Sequence, residues 1–187
     1  DGKSGIHASP RTNSDKPLRK WRPTARAGGW TDIGIHQTHG ENMRMIPKTL
    51  SDHINTAFPE TVCLRGSVLP NGYAQVTPRG GIMVFDDTHL ASWERGKGQS
   101  AAAMTDGTKL TVYFRKPQLR ADGVLPKGGI ARFYGTAKIH HSGAAYEEVW
   151  RRLVQPEKDR DPDKKGYAVL IEIERAEDLE GLPLTLA

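Results

Sequence analysis

The chain has a single cysteine, Cys63, in 187 residues. It can therefore build neither an internal disulfide nor a thiolate zinc cluster. No apolar run approaches the roughly 18 residues that a membrane-spanning helix needs. The first residues are polar, basic and rich in Gly, Ser and Pro, unlike the apolar core of a secretion leader. A cytoplasmic protein with no membrane partner is the expectation. Aromatic residues make up only 7%, and the aromatic-plus-basic strands of RNA readers are missing. What is present, 36% hydrophobic residues, suffices for one domain with a true core, in which Cys63 is predicted to be a small buried strand residue.

The formal net charge of +5 is unevenly placed. Residues 1–48 hold 9 Lys+Arg against 4 Asp+Glu, which leaves 18 of each sign for residues 49–187. The leading segment is rich in Gly, Pro, Ser, Thr and Arg without periodicity. That predicts a basic, extended arm over 1–48, followed by a folded domain over 49–187. The basic run from Lys16 to Arg26 could touch nucleic-acid phosphates. With a neutral body and no base-reading motif behind it, a solvated or subunit-wrapping arm is the better reading.

Beyond the arm, Thr49 or Ser51 can cap a short helix over 52–58, with Ile54 and Phe58 on one face and Pro59 closing it. From Thr61 the hydrophobic period shifts toward two. Strands are predicted over 61–69, 73–78, 82–86, 109–115, 130–140 and 167–174. Pro70-Asn71-Gly72 marks a hairpin turn, because Asn and Gly tolerate positive φ. Six strands at hairpin spacing predict a mainly β fold, a six-stranded antiparallel barrel with a few helices. Tyr146, Val149, Trp150 and Leu153 recur at i, i+3, i+4, i+7 and predict one amphipathic helix between the last two strands.

The chemistry concentrates between Tyr73 and Met104. Two strands there lead into a loop of Gly, Lys and Ser that opens a small-residue helix, a device for holding a phosphate. Other candidates have plainer readings. His36, His39 and Glu41 have helical metal-ligand spacing, but Gly34 and Gly40 argue against a helix. His140 and His141 point to opposite faces of a strand end. Gly96-Lys97-Gly98 lacks the upstream glycine and following Ser/Thr of a nucleotide loop. Asp159, Asp161 and Asp163 lack the Gly and Glu that complete a calcium loop. Trp93 either stacks on a ring or plugs the barrel rim.

Three motifs in this order resemble the pyridoxamine-phosphate-oxidase-like FMN-binding split barrels, over about residues 49–181. Ser67 to Pro78 resembles the family's opening hairpin, Lys97-Gly98-Gln99-Ser100-Ala101 its phosphate loop and helix start, and Arg132 to Ala137 its "v-x-G-x-a" strand. The resemblance implies a homodimer with FMN at the subunit interface; deazaflavin F420 or haem are the alternative cofactors. It places the phosphate on Ser92, Trp93, Lys97, Gln99 and Ser100, in the loop after the third strand. It runs Gln75, Val76, Thr77, Pro78, Arg79 and Gly80 beside the ring, where Thr77 and Arg79 could address the N1, O2 and N5 edge. The implied activity is that of an FMN-dependent oxidoreductase acting on a small conjugated or aromatic molecule, with a reduced nicotinamide or another electron donor. A non-catalytic flavin- or haem-binding module is the second reading and a nucleic-acid-contacting barrel the third. The family's "K-x-x-N-L" loses its Asn and Leu here, and the C-terminal Trp/Arg/His signature of vitamin B6 oxidases is absent, which argues against that activity.

Overall fold

The computed structural model describes residues 46 and 48–184. Most of the predicted arm, with its Lys16–Arg26 run and the His36, His39 and Glu41 constellation, lies outside the described residues. The described chain runs α1 (Lys48–Asn55), β1 (Cys63–Val68), β2 (Ala74–Arg79), β3 (Met83–Val84), β4 (His89–Glu94), α2 (Gln99–Ala102) and β5 (Lys109–Arg115). It continues with α3 (Gln118–Ala121), β6 (Ile130–His140), α4 (Ala144–Arg152), α5 (Gln155–Lys158) and β7 (Tyr167–Glu177). No helix among them is long and apolar enough to cross a membrane.

The strands form one antiparallel sheet in the order β2-β1-β5-β6-β7-β4-β3. The sheet curls on itself. Arg65 on β1 and Glu94 on β4 are separated by three intervening strands, yet their side chains meet at 3.2 Å. Alternation sorts each strand into two faces. Cys63, Leu90, Leu110, Val112, Phe114, Phe133, Val169 and Ile171 fill the interior, which Leu50 and Ile54 of α1 close. On the outside, Val149 and Tyr146 of α4 pack with Trp93, Ala91 and Ala168 of β4 and β7. The Tyr146-Val149-Leu153 stripe read from the sequence is therefore the buried face of α4 and the turn after it.

The barrel has seven strands where six were expected. The added strand is β4, and the third predicted strand, 82–86, shrinks to the two residues of β3. Asp86 is the cause: its Oδ1 accepts from the N–H groups of Thr88 and His89, each at 2.9 Å, and turns the chain. Helix α1 also starts earlier and ends sooner than the predicted 52–58. Its buried pair is Leu50 and Ile54, and Asn55 Oδ1 accepts from Val84 N at 2.8 Å, tying the helix end to β3. Gly135 shows why the "v-x-G-x-a" strand needs glycine. It sits at a register shift between β6 and β7, and a Cβ there would lie 2.2 Å from the Glu172 carbonyl oxygen.

Cys63 is buried as expected, and burial pushes its thiol up to about 12. Because the thiolate is the reactive form, the native protein is expected to resist an aromatic disulfide reagent near pH 8 and to react once unfolded in guanidinium. Prompt reaction without denaturant would contradict this placement.

Candidate functional site

The inward faces of β1, β2 and β4 carry polar side chains at one end of the barrel. Alternation aims Arg65 and Ser67 inward from β1 and Ser92 and Glu94 inward from β4, while Gln75, Thr77 and Arg79 form the matching half-buried row on β2. Arg65 Nη2 donates to Glu94 Oε2 at 3.2 Å, and both side chains are fully enclosed. Arg79 Nη1 lies 2.7 Å from Glu94 Oε1, a close charge contact without hydrogen-bond alignment. Two guanidiniums thus share one carboxylate. Arg65 Nε and Nη1, Arg79 Nε, Gln75 Oε1 and Ser92 Oγ have no partner among the described residues. Burial, followed by the positive field of Arg65, lowers the proton affinity of Arg79. Burial and the charge of Glu94 raise the Tyr167 phenol, whose hydroxyl donates to the Ala101 carbonyl at 3.2 Å. A buried end with surplus positive charge and spare donors is suited to a negatively charged group.

β2 forms one edge of the sheet and pairs only with β1. Its second backbone edge is open among the described residues, and Gln75, Val76, Thr77, Pro78 and Arg79 all lie on it, with Gly80 just beyond. The loop after β4 brings Gly96 and Gly98 into positive φ, 67° and 87°, with Lys97 exposed between them. Gln99 is exposed at the start of α2.

Three of the predicted phosphate residues are placed differently. Ser92 and Trp93 belong to strand β4, not to a loop, because the alternation continues through Glu94. Ser92 is buried inside, whereas Trp93 faces outward under α4, its ring centroid 5.0 Å from Tyr146 and 4.8 Å from Trp150. Trp93 Nε1 donates to Asp161 Oδ2 at 2.8 Å, so the indole is held between β4, α4 and the segment after α5. Ser100 is buried, its hydroxyl 2.9 Å from that of Ser67. The structure therefore brings Lys97 and Gln99 together as an exposed pair and separates them from Ser92 and Trp93. Asp161, read as a possible calcium ligand, has its carboxylate occupied by Trp93, Gly166 and Lys165.

The sequence reading missed Arg65 and Glu94. The signal was present: each falls in phase with apolar inward positions, Arg65 with Cys63 and Glu94 with Leu90.

The outer face of β1 and β2, continued by β5 and β6, is apolar. Leu64, Val68, Ala74, Val76, Tyr113 and Tyr134 line an open cleft of about 980 Å³. Val68 is 69% exposed, Val76 62% and the adjacent Tyr73 73%. Lys109, Glu174 and Arg175 close one end of the cleft, with Lys109 and Glu174 paired.

No family model matches the chain, and no curated protein matches it in sequence. Solved structures do. HupZ of Group A Streptococcus is 24% identical, with a TM-score of 0.54 over 74% of this chain and 98% of that one. A putative pyridoxamine 5'-phosphate oxidase from Lactobacillus delbrueckii is 20% identical, with a TM-score of 0.47 over 67% of this chain and 90% of that one. A protein of Clostridium acetobutylicum from the pyridoxinephosphate oxidase family, related to general stress protein 26, is 17% identical, with a TM-score of 0.49 over 68% and 84%. With its curled antiparallel sheet, short helix after β4 and outer helix before the last strand, the chain has a split-barrel fold, and the likeness to HupZ is a likeness of fold.

Proposed function

We propose that the protein is a flavin-dependent oxidoreductase that works as a homodimer, with FMN or the deazaflavin F420 held along the open edge of β2. The observation that carries this reading is that edge itself: unpaired backbone beside Gln75, Thr77 and Arg79, with surplus buried positive charge behind it. The residues present fit a flavin in part. A flavin held along this edge would find donors for its carbonyl and ring-nitrogen acceptors on Arg79 and on the strand backbone. The phosphate end has Lys97, Gln99 and the backbone of a glycine-bent loop. Ser100, spent on Ser67, anchors that loop to β1. When bound, the flavin supplies the hydride chemistry. Arg79 would favour negative charge on a ring edge held beside it, and the barrel wall would exclude water from that side.

Homodimerisation accounts for the outer cleft. Exposed Val68, Tyr73 and Val76 make a contiguous apolar face on strands that also carry the polar row, and a second copy seated there would complete the flavin slot. The substrate is a small conjugated or aromatic molecule that stacks on the open ring face, with a reduced nicotinamide or another donor supplying electrons.

The test is reconstitution. Purified protein titrated with FMN and, separately, F420 is expected to show the shifted absorbance of a bound flavin. Lys97→Ala should weaken retention about tenfold, the equivalent of one charge-assisted hydrogen bond to phosphate, without changing the melting temperature. Val76→Glu should leave a monomer in light scattering and lose the flavin with it. A variant at Lys97 that retains the cofactor as well as the parent chain would remove the phosphate assignment. A protein that takes up neither flavin, as a dimer or otherwise, would end the oxidoreductase reading in favour of the non-catalytic module.

A further inference from the structure

A second cavity lies beside the barrel end, enclosed by the β2–β3 turn, β4 and α5. Its volume is about 200 Å³, room for roughly six waters at ~30 Å³ each. Its wall carries Arg79, Arg95 and Arg160 with one carboxylate, Glu157, and Phe58 covers one side. Glu157 is partnered twice: Arg95 Nη1 stands 3.6 Å from its Oε2, and Arg160 Nη1 donates to its Oε1. Three guanidiniums against one carboxylate leave a positive excess. Glu94 is shared between Arg79 and Arg65, and Asp161 lies in the field of Arg95, so four guanidiniums face three carboxylates and one positive charge is left over.

The second observation is Ser92. It is only 1% exposed, lines the same cavity, and its hydroxyl has no partner among the described residues. Nε of Arg79 is likewise buried and unpartnered. Buried donors of this kind are costly unless something accepts from them. An acceptor with several oxygens and negative charge would satisfy the hydroxyl and the guanidiniums together.

We infer that this cavity binds a small oxyanion, a phosphate or carboxylate group, at a site separate from the loop around Lys97. The group is either a free anion or the anionic end of a small organic molecule whose body lies toward the open side. Arg95 and Arg160 draw it in from the surface, Arg79 meets it at depth, and Ser92 donates from the floor. The inference stands on the cavity and does not depend on a flavin being bound.

Calorimetry on the full chain with inorganic phosphate tests it. One site is expected. The double change Arg95→Gln with Arg160→Gln should weaken binding by at least tenfold, and Ser92→Ala by several-fold, each with the fold retained by circular dichroism. Lys97→Ala should leave phosphate affinity unchanged. Tighter binding of phenyl phosphate or benzoate than of inorganic phosphate would support the site as the anchor of an organic molecule; the reverse order would support it as a free-anion site. Absence of phosphate binding, equal affinity in the double variant, or loss of phosphate binding in Lys97→Ala would overturn the inference.

Discussion

Replacing Glu94 with alanine is expected to destabilise the protein by about 3–5 kcal/mol, because it leaves Arg65 charged and enclosed with no counter-ion. Nothing around Arg65 can take over. Its Nε and Nη1 are already without partners, and its side chain has no exposure to water. Arg79, now also released, would add a second like charge nearby. For a chain of this size each kcal/mol moves the melting temperature by roughly 2–4 °C, so a drop on the order of 10 °C is expected in a circular-dichroism melt. Glu94→Gln should fall between, since it keeps the shape and loses the charge. Changing Arg65 and Glu94 together to leucine should recover most of the loss, as apolar replacements of buried ion pairs do. A melting temperature unchanged in Glu94→Ala would mean that the pair is hydrated and that the barrel end is open to solvent. The same variant bears on function. If surplus positive charge at this end attracts the cofactor, Glu94→Gln should bind FMN at least as tightly as the parent while being less stable.

Trp93→Ala is expected to cost about 3–5 kcal/mol, as deletion of a buried aromatic does. It would empty the layer between β4 and α4 where Trp93 touches Tyr146 and Trp150. Trp93→Phe separates packing from hydrogen bonding. It keeps much of the apolar contact but takes a donor from the buried Asp161 carboxylate, at a cost of about 1–3 kcal/mol. Burial alone would raise the Asp161 carboxyl. The hydrogen bonds from Trp93, Gly166 and Lys165 outweigh it and hold the group below its ordinary value of 3.8. A carboxyl depressed in the folded state stabilises the fold above its unfolded value and loses that contribution as pH falls through the folded one. The gap between the parent and Trp93→Phe should therefore be constant near neutrality and close below pH 3.8. Urea unfolding across that range reads it directly. FMN affinity should not change in Trp93→Phe, because the indole faces α4 and not the barrel interior. A loss of flavin without a loss of stability would place Trp93 back at the pocket.

The fold was legible where one face of a strand is buried and the other is not. Lys109 to Arg115 alternates cleanly, and β5 appears there. β4 was missed because both its faces are covered, one by the core and one by α4, so that Leu90 to Glu94 are all buried and the pattern carries no alternation of polarity. That miss also puts Ser92 and Trp93 in a loop, because the strand holding them was not seen. The open edge around Gln75 to Arg79 could be reached through motif order. Arg65 and Glu94 could not be joined, since their meeting depends on the sheet curling, which is set by contacts far apart in the chain.

The side of β2 left unpaired among the described residues has a further consequence for the isolated chain. An exposed ladder of backbone donors and acceptors is a template on which any extended chain can add a strand, and Tyr73 and Val76 make it adhesive. Pro78 limits the hazard, because it offers no N–H, and Arg79 beside it brings a charge that must stay solvated or paired. The template is thus cut to little more than Ala74 to Thr77, too short a run to seed a long-lived fibre but long enough to recognise a short, defined edge.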